Sequence, residues 1–284
     1  MNAKTIFVTG ATGKQGGSVA RHLVRAEFLV KALTRNLQSP QALALQALNI
    51  EVVRGDLNNP DSYRHHLTDV YGIFSVQTFE NGVAQEIYQG KSLATAGKES
   101  GTQHFVYSSV FAADLHSGVP HLDSKFIIEM HLKQLNLPFT IIRPVSFYEN
   151  FLIPQTKKGI LKGKLIIPLD RHTIQQHIAV DDIGKAVSRI FQQPAAYMGK
   201  TLPLASEQLN LEEVAMIFSQ ALGKRVTHQK LPALIVRLFL GKDLYKMFKW
   251  FDAKNQFSLK DLELSQQEFP DLLKLKDWIK INFI

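Results

Sequence analysis

Three glycines at positions 10, 13 and 16, in the run Gly10-Ala11-Thr12-Gly13-Lys14-Gln15-Gly16-Gly17, have the type and spacing to hold a pyrophosphate. Glycine at each position lets the backbone turn tightly, approach a phosphate, and pack helix against strand with no Cβ in the way. Amides at the start of a following helix then point at the phosphates, where the helix dipole favours negative charge; Thr12, Lys14 and Gln15 would stand beside them. The spacing is G-x-x-G-x-x-G rather than the G-x-G-x-x-G of many dehydrogenases, so its meaning rests on context. An apolar run, Thr5 to Thr9, precedes the loop; a helical pattern follows, and then a second apolar run, Leu29 to Leu33, ending at Thr34-Arg35. The competing interpretation is an ordinary strand-to-helix turn with extra glycines.

Arg35 occupies the strand end where an NAD-specific fold places an acid for the ribose hydroxyls. That acid would repel a 2′-phosphate, whereas a guanidinium offers a fork of donors suited to one, so the cofactor expected is NADP(H). A solvated surface arginine is the alternative. Further candidates follow the later strands. Asp56, after Ile50 to Arg54, could accept a hydrogen bond from an adenine amino group or simply cap a helix. Gln77 and Thr78, after Val70 to Val76, could line the pyrophosphate and nicotinamide ribose; Ser108 and Ser109, at the end of the predicted strand His104 to Ser109, could face substrate or be a polar strand end.

These groups lie just beyond apolar runs separated by helical patterns. A short helix is predicted over Pro60 to Asp69, and others over Ala84 to Ser100 and Asp123 to Leu135, with a sixth strand over Phe139 to Arg143. Strands alternating with helices imply parallel pairing through right-handed crossovers, hence an α/β, Rossmann-type doubly wound parallel sheet, with ligands beyond the carboxyl ends of the strands. The texture then changes. Short strands are predicted at Leu165 to Pro168 and His177 to Val180, and helices at Asp181 to Gln193, capped by Asp181, and Asn210 to Leu222, capped by Asn210. The stretch 231–250 is apolar and aromatic; Phe239, Tyr245, Phe248, Trp250 and Phe251 read as core, or else as the roof of a substrate cleft. Leu272 to Phe283 is a final amphipathic helix. The expected division is a cofactor-binding domain over 1–150, completed by about 176–205, and a smaller mixed subdomain over 151–175 and 206–284.

With 284 residues and 45% apolar composition, the chain can fill such a core. It has no cysteine, so neither disulfides nor thiolate metal sites are available, and no metal site is expected. Met1 leads almost directly into a strand and no run approaches a membrane span, so a cytoplasmic protein without membrane contact is expected. Its net charge of +8 could serve nucleic acid, acidic membranes or phosphorylated ligands. The densest basic stretch, Phe151 to Pro168, lacks the interleaved aromatics of a single-strand binder and reads as a solvated loop; no specific nucleic acid is expected.

Taken together, the glycine loop, Thr34-Arg35, Gly55-Asp56-Leu57, Gln89-Gly90-Lys91, His121-x-x-Ser124-Lys125, Arg143-Pro144, Phe147-Tyr148-Glu149-Asn150-Phe151 and Val180-Asp181-Asp182-Ile183-Gly184 resemble the NmrA-like family of atypical short-chain dehydrogenases/reductases. The resemblance covers nearly the whole chain and loosens beyond about residue 225. It implies NADP(H) binding by Gly10, Gly13, Gly16 and Arg35, an adenine contact at Asp56, and a cofactor contact at Asn150.

Typical members of the wider superfamily carry Tyr-x-x-x-Lys, in which tyrosine donates a proton and lysine holds the ribose. Here the spacing is His121-Leu122-Asp123-Ser124-Lys125. Residues four apart at a helix start share a face, so His121 and Lys125 would both meet the cofactor. Beside an ammonium an imidazole is held neutral and is a poor acid toward a carbonyl, although quinone reduction, which yields a phenolate, asks less of its acid. Two functions follow. One is an NADPH-dependent reductase in which His121 or Tyr148 delivers the proton, Ser109 orients the oxygen and Lys125 serves cofactor and catalysis. The other is a sensor that distinguishes NADP from NADPH and binds a regulatory protein. The partner is accordingly a small-molecule substrate or a regulatory protein, and the chain a monomer or homodimer.

Overall fold

The computed structural model describes residues 3–239, 241–253 and 257–284. Met1, on which the expectation about a leader rests, and Leu240, within the 231–250 stretch, lie outside them. The first elements are β1 (Thr5–Val8), α1 (Lys14–Arg25), β2 (Leu29–Thr34), α2 (Pro40–Gln46), β3 (Glu51–Arg54), β4 (Gly72–Ser75), α3 (Val83–Glu99), β5 (His104–Ser108), α4 (Pro120–Gln134) and β6 (Phe139–Pro144). After them come β7 (Ser146–Phe147), α5 (Pro154–Leu161), β8 (Lys164–Ile167), β9 (Ile174–Ile178), α6 (Val180–Gln192), α7 (Pro194–Tyr197) and β10 (Thr201–Leu204). The chain ends with β11 (Glu207–Asn210), α8 (Leu211–Leu222), β12 (Thr227–Lys230), α9 (Ala233–Phe239), α10 (Gly241–Ala253), α11 (Leu259–Glu268) and α12 (Leu275–Asn282).

The chain divides into two compact units, one formed by Met1–Leu115, His121–Arg143 and Val180–Leu202, the other by His116–Pro120, Pro144–Ala179 and Pro203–Ile284. Residues 144–150, which the sequence assigns to the cofactor domain, fall in the second unit. The main sheet has seven strands in the order β10-β6-β5-β4-β1-β2-β3, and the pairs β1–β2, β2–β3, β1–β4, β4–β5 and β5–β6 are all parallel. The sheet is therefore mostly parallel, with the α/β Rossmann-like fold the alternation predicts. Its order reverses between β1 and β4, the place where a doubly wound sheet opens a crevice beyond its carboxyl edge. Phe7, Val53, Ile73, Phe105, Tyr107 and Ile141 from the strands pack with Leu93, Ile128 and Leu132 from α3 and α4 in one buried cluster. The 3-stranded sheet β11-β9-β7 and the 2-stranded sheet β12-β8 belong to the second unit, whose core gathers Tyr148, Phe151, Leu165, Phe218 and Trp278.

Several local expectations change. Over Pro60 to Asp69 the chain forms two 3-10 turns, Pro60–Ser62 and Arg64–Leu67, separated by Tyr63 at φ −131°. Ser62 donates to the carbonyls of Asp56 and Asn59, competing with helix continuation. Helix α4 starts at Pro120 rather than Asp123, because proline is preset for a first helical position. The basic stretch read as a solvated loop contains α5 and β8. Asp181 lies inside the first turn of α6 instead of capping it; its Oδ1 is 2.8 Å from His22 Nε2, and that hydrogen bond holds its carboxyl down at about 2.

The aromatic stretch is not core. None of the residues in α10 is buried, and Phe239 is 80% exposed. Phe248 and Phe251 pack partly buried against the second unit's core. Tyr245 and Phe248, with Pro168, Leu231 and Val236, line a cavity of about 300 Å³. No helix among the described residues is long and apolar enough to cross a membrane.

Candidate functional site

The larger unit gathers most of the predicted residues at the carboxyl edge of its sheet. Thr9 fastens the ends of β1 and β4 together: its amide donates to the Phe74 carbonyl at 3.0 Å, and its hydroxyl accepts from the Val76 amide at 2.9 Å. That tie brings the chain after β4 onto the glycine loop. Gly10 turns with φ +60°, and a Cβ there would lie 2.7 Å from the Val76 side chain. A Cβ on Gly16 would lie 2.4 Å from the carbonyl oxygens of both Thr9 and Gly10, which fixes glycine as the residue that seats α1 on β1. Gly13 is the N-cap of α1, yet no side chain caps the helix and no acid occupies its first turn. Lys14 and Gln15 open that turn, and Gln15 Oε1 accepts from Ser108 Oγ at 2.7 Å. The free amides, the dipole and the missing acid together suit an anion.

Arg35 follows β2 as an exposed residue, and no ion pair to it is found among the described residues. Its neighbour Thr34 takes the Asn36 amide at 3.2 Å, which turns the chain beyond the strand. Asp56 neither caps a helix nor stands unengaged: its Oδ1 accepts from the amide and the side chain of Asn58 at 2.9 and 3.0 Å. Asn58 in turn accepts from Gln85 and Gln89 on α3. The Gln77 side chain donates to Ser75 Oγ at 2.9 Å, leaving its own Oε1 buried without a hydrogen-bond partner. Thr78 accepts from the Glu80 amide at 3.3 Å.

His121 and Lys125 share one face of α4, as their spacing requires. His121 is 6% exposed, its ring stacked on Phe79 with centroids 4.4 Å apart and planes 20° from parallel. Lys125 donates to Glu86 Oε1 at 2.7 Å and to the Gln77 carbonyl at 3.4 Å. Ser124 donates to the other oxygen, Glu86 Oε2, at 2.6 Å. Glu86 is fully buried, and nothing in the sequence pattern marked it; its one signal is an acid in the first turn of a predicted helix, a common surface arrangement.

Two other candidates are already engaged. Ser109 Oγ donates to Glu129 Oε1 at 2.5 Å, and Glu129 is itself gripped by Arg143 at 3.0 and 2.7 Å. With its hydroxyl proton committed and only 3% exposure, Ser109 is a brace between β5 and α4 rather than a group facing a ligand. Tyr148, in the smaller unit, is completely buried; its hydroxyl donates to Glu207 and lies 3.0 Å from Ser206 Oγ. That environment suits a structural phenol, not a proton donor. Asn150 is exposed in the same unit, with its amide 3.5 Å from Ser146 Oγ. Burial first and the Glu86 and Glu129 carboxylates next push the Tyr107 phenol, beside Ser108, well above its usual range.

None of the predicted residues lines the cavity of about 620 Å³ in the smaller unit, which is bordered by Arg171, Met216, Arg225 and Lys230. Among the described residues no group of three or more His, Asp or Glu side chains is placed to hold a metal ion.

The observations on α1, Gly10 and Gly16 fit a dinucleotide: an uncapped helix terminus for the phosphates, and close backbone approach where a Cβ would intrude. A family model described as "NmrA-like family" matches residues 2–281. The nitrogen metabolite repression protein nmrA of Emericella nidulans is 30% identical over 253 residues, 83% of this chain and 70% of that protein. Among solved structures, Nmra, a negative transcriptional regulator, in complex with NADP superposes with TM-score 0.81 at 23% identity, over 100% of this chain and 96% of that one; it has also been solved with NAD. The NADPH-dependent quinone oxidoreductase QOR2 of Escherichia coli, complexed with NADPH, gives TM-score 0.82 at 23% identity, over 98% and 100%.

Proposed function

The chain belongs to the NmrA-like family, whose fold is shared by proteins that bind NADP or NAD, and from that premise we propose that it is an NADPH-dependent reductase of a small carbonyl or quinone-type substrate. The observation that carries this reading is Lys125, pinned at the carboxyl edge of the sheet with His121 one turn before it. Gly10, Gly13 and Gly16 would hold the pyrophosphate against the α1 amides, and Arg35 would pair with the 2′-phosphate. When bound, the nicotinamide supplies a hydride. Lys125 would orient the ribose, and its ammonium would stabilise negative charge developing on a substrate oxygen. With the hydroxyls of Ser109 and Tyr148 committed, His121 is the remaining candidate of the set to hand over a proton. Likeness to the quinone oxidoreductase favours a quinone among the substrate classes.

A second reading, a sensor that discriminates NADP from NADPH and binds a regulatory protein, is favoured by one feature. The superfamily tyrosine is replaced by His121, whose ring is stacked on Phe79. Loss of NADPH absorbance with a panel of quinones separates the two. The reductase reading expects turnover that falls on the order of a hundredfold in Lys125→Ala and less in His121→Ala, the scale of a lost oriented electrostatic or acid–base group. No turnover with any acceptor, while both cofactor forms bind, would leave the sensor.

A further inference from the structure

Glu86 is the buried charge that the proposed reaction leaves unexplained. It stands in the first turn of α3, where the helix dipole favours a carboxylate, and its side chain has no exposure. A carboxylate so placed is tolerated only when its charge is answered, and here each oxygen is answered separately: Oε1 by the Lys125 ammonium at 2.7 Å and Oε2 by Ser124 Oγ at 2.6 Å. Ser124 and Lys125 are adjacent on α4, so one carboxylate grips two consecutive side chains of that helix. The Gln77 carbonyl, just past β4, takes a second N–H of Lys125 at 3.4 Å. An ammonium has three N–H donors. Among the described residues one remains uncommitted, on a side chain that is 12% exposed.

We propose that Glu86 is a positioning residue for the cofactor. With Ser124 as a strut, it clamps Lys125 so that the third N–H is presented to a bound nicotinamide dinucleotide. The proposal rests on the reading of Lys125 as a cofactor contact. Charge alone predicts the opposite behaviour: NADPH is strongly anionic, so neutralising Glu86 would make the site more cationic and tighten binding. Positioning predicts that neutralising it loosens binding, because the ammonium loses its fixed geometry.

The test uses the full chain and titrates NADPH by its fluorescence in wild type, Glu86→Gln, Ser124→Ala, Lys125→Met and the double variant Glu86→Gln/Lys125→Met. Glutamine keeps the shape of Glu86 but only one acceptor oxygen, its amide nitrogen being a donor, and melting without cofactor reports any structural loss separately. Glu86→Gln is expected to weaken NADPH on the order of tenfold, Ser124→Ala less, and the double variant no more than Lys125→Met alone, since residues acting as one unit are not additive. Unchanged or tighter binding in Glu86→Gln, or losses that simply add, would overturn the proposal while leaving Lys125 in place. Unchanged binding in Lys125→Met would overturn both, and the quinone assay is independent of either outcome.

Discussion

Arg35 is the residue on which the choice between the two cofactors turns. It is exposed and has no ion pair among the described residues, so its guanidinium is available to a phosphate. Arg35→Ala is expected to weaken NADP by roughly tenfold to a hundredfold, the range of a charged hydrogen-bonded pair, and NAD far less. Calorimetric titration with both nucleotides checks this, and equal losses would remove the basis for NADP. At this scale the sequence located positions well and partners poorly. The i, i+4 spacing put His121 and Lys125 on one face because a helix repeats every 3.6 residues. The same sequence held no sign that the Ser109 and Tyr148 hydroxyls are taken by Glu129 and Glu207, since those partners come from other segments.

The helices divide by how their N-termini are satisfied. Asn210 and Glu213 form a reciprocal capping box at α8, with bonds of 2.9 and 2.7 Å. The terminus of α1 has no side-chain cap, which leaves its amides for a ligand. Asn210→Ala should therefore destabilise the protein by about 1 kcal/mol without altering NADPH affinity, measured by urea unfolding beside a cofactor titration. A shift in affinity would show the two termini to be coupled. The Asn210 cap was legible because the capping residue and its partner are three apart. The Asp181 cap was not borne out: from sequence nothing revealed that Val180 already begins α6 or that His22, 159 residues away, takes the carboxylate.

Across the whole molecule, two buried histidines contribute to the response to acid. His104 is 0% and His177 4% exposed, and burial pushes each from 6.5 down to about 4. The unfolded chain takes up these protons near 6.5, the folded chain only near 4, so their contribution to stability falls as pH drops between those values and does not change above them. Each accounts for up to about 3 kcal/mol over the full range. His177 stacks on Tyr148 with both ring nitrogens lacking hydrogen-bond partners, so His177→Phe should flatten the acid-side slope. Urea midpoints at neutral and mildly acid pH measure this, and an unchanged slope would contradict it. The sequence by itself determined the parallel sheet, the glycine loop after its first strand and the face shared by His121 and Lys125. Those features are written in local periodicity and in a residue type only a tight approach demands. Tertiary structure alone decided that β8 pairs with β12, that the aromatic stretch after 231 stays largely outside the core, and that Glu86 holds Lys125. Such pairings join segments tens of residues apart, and no spacing along the chain encodes which distant group will answer a buried charge.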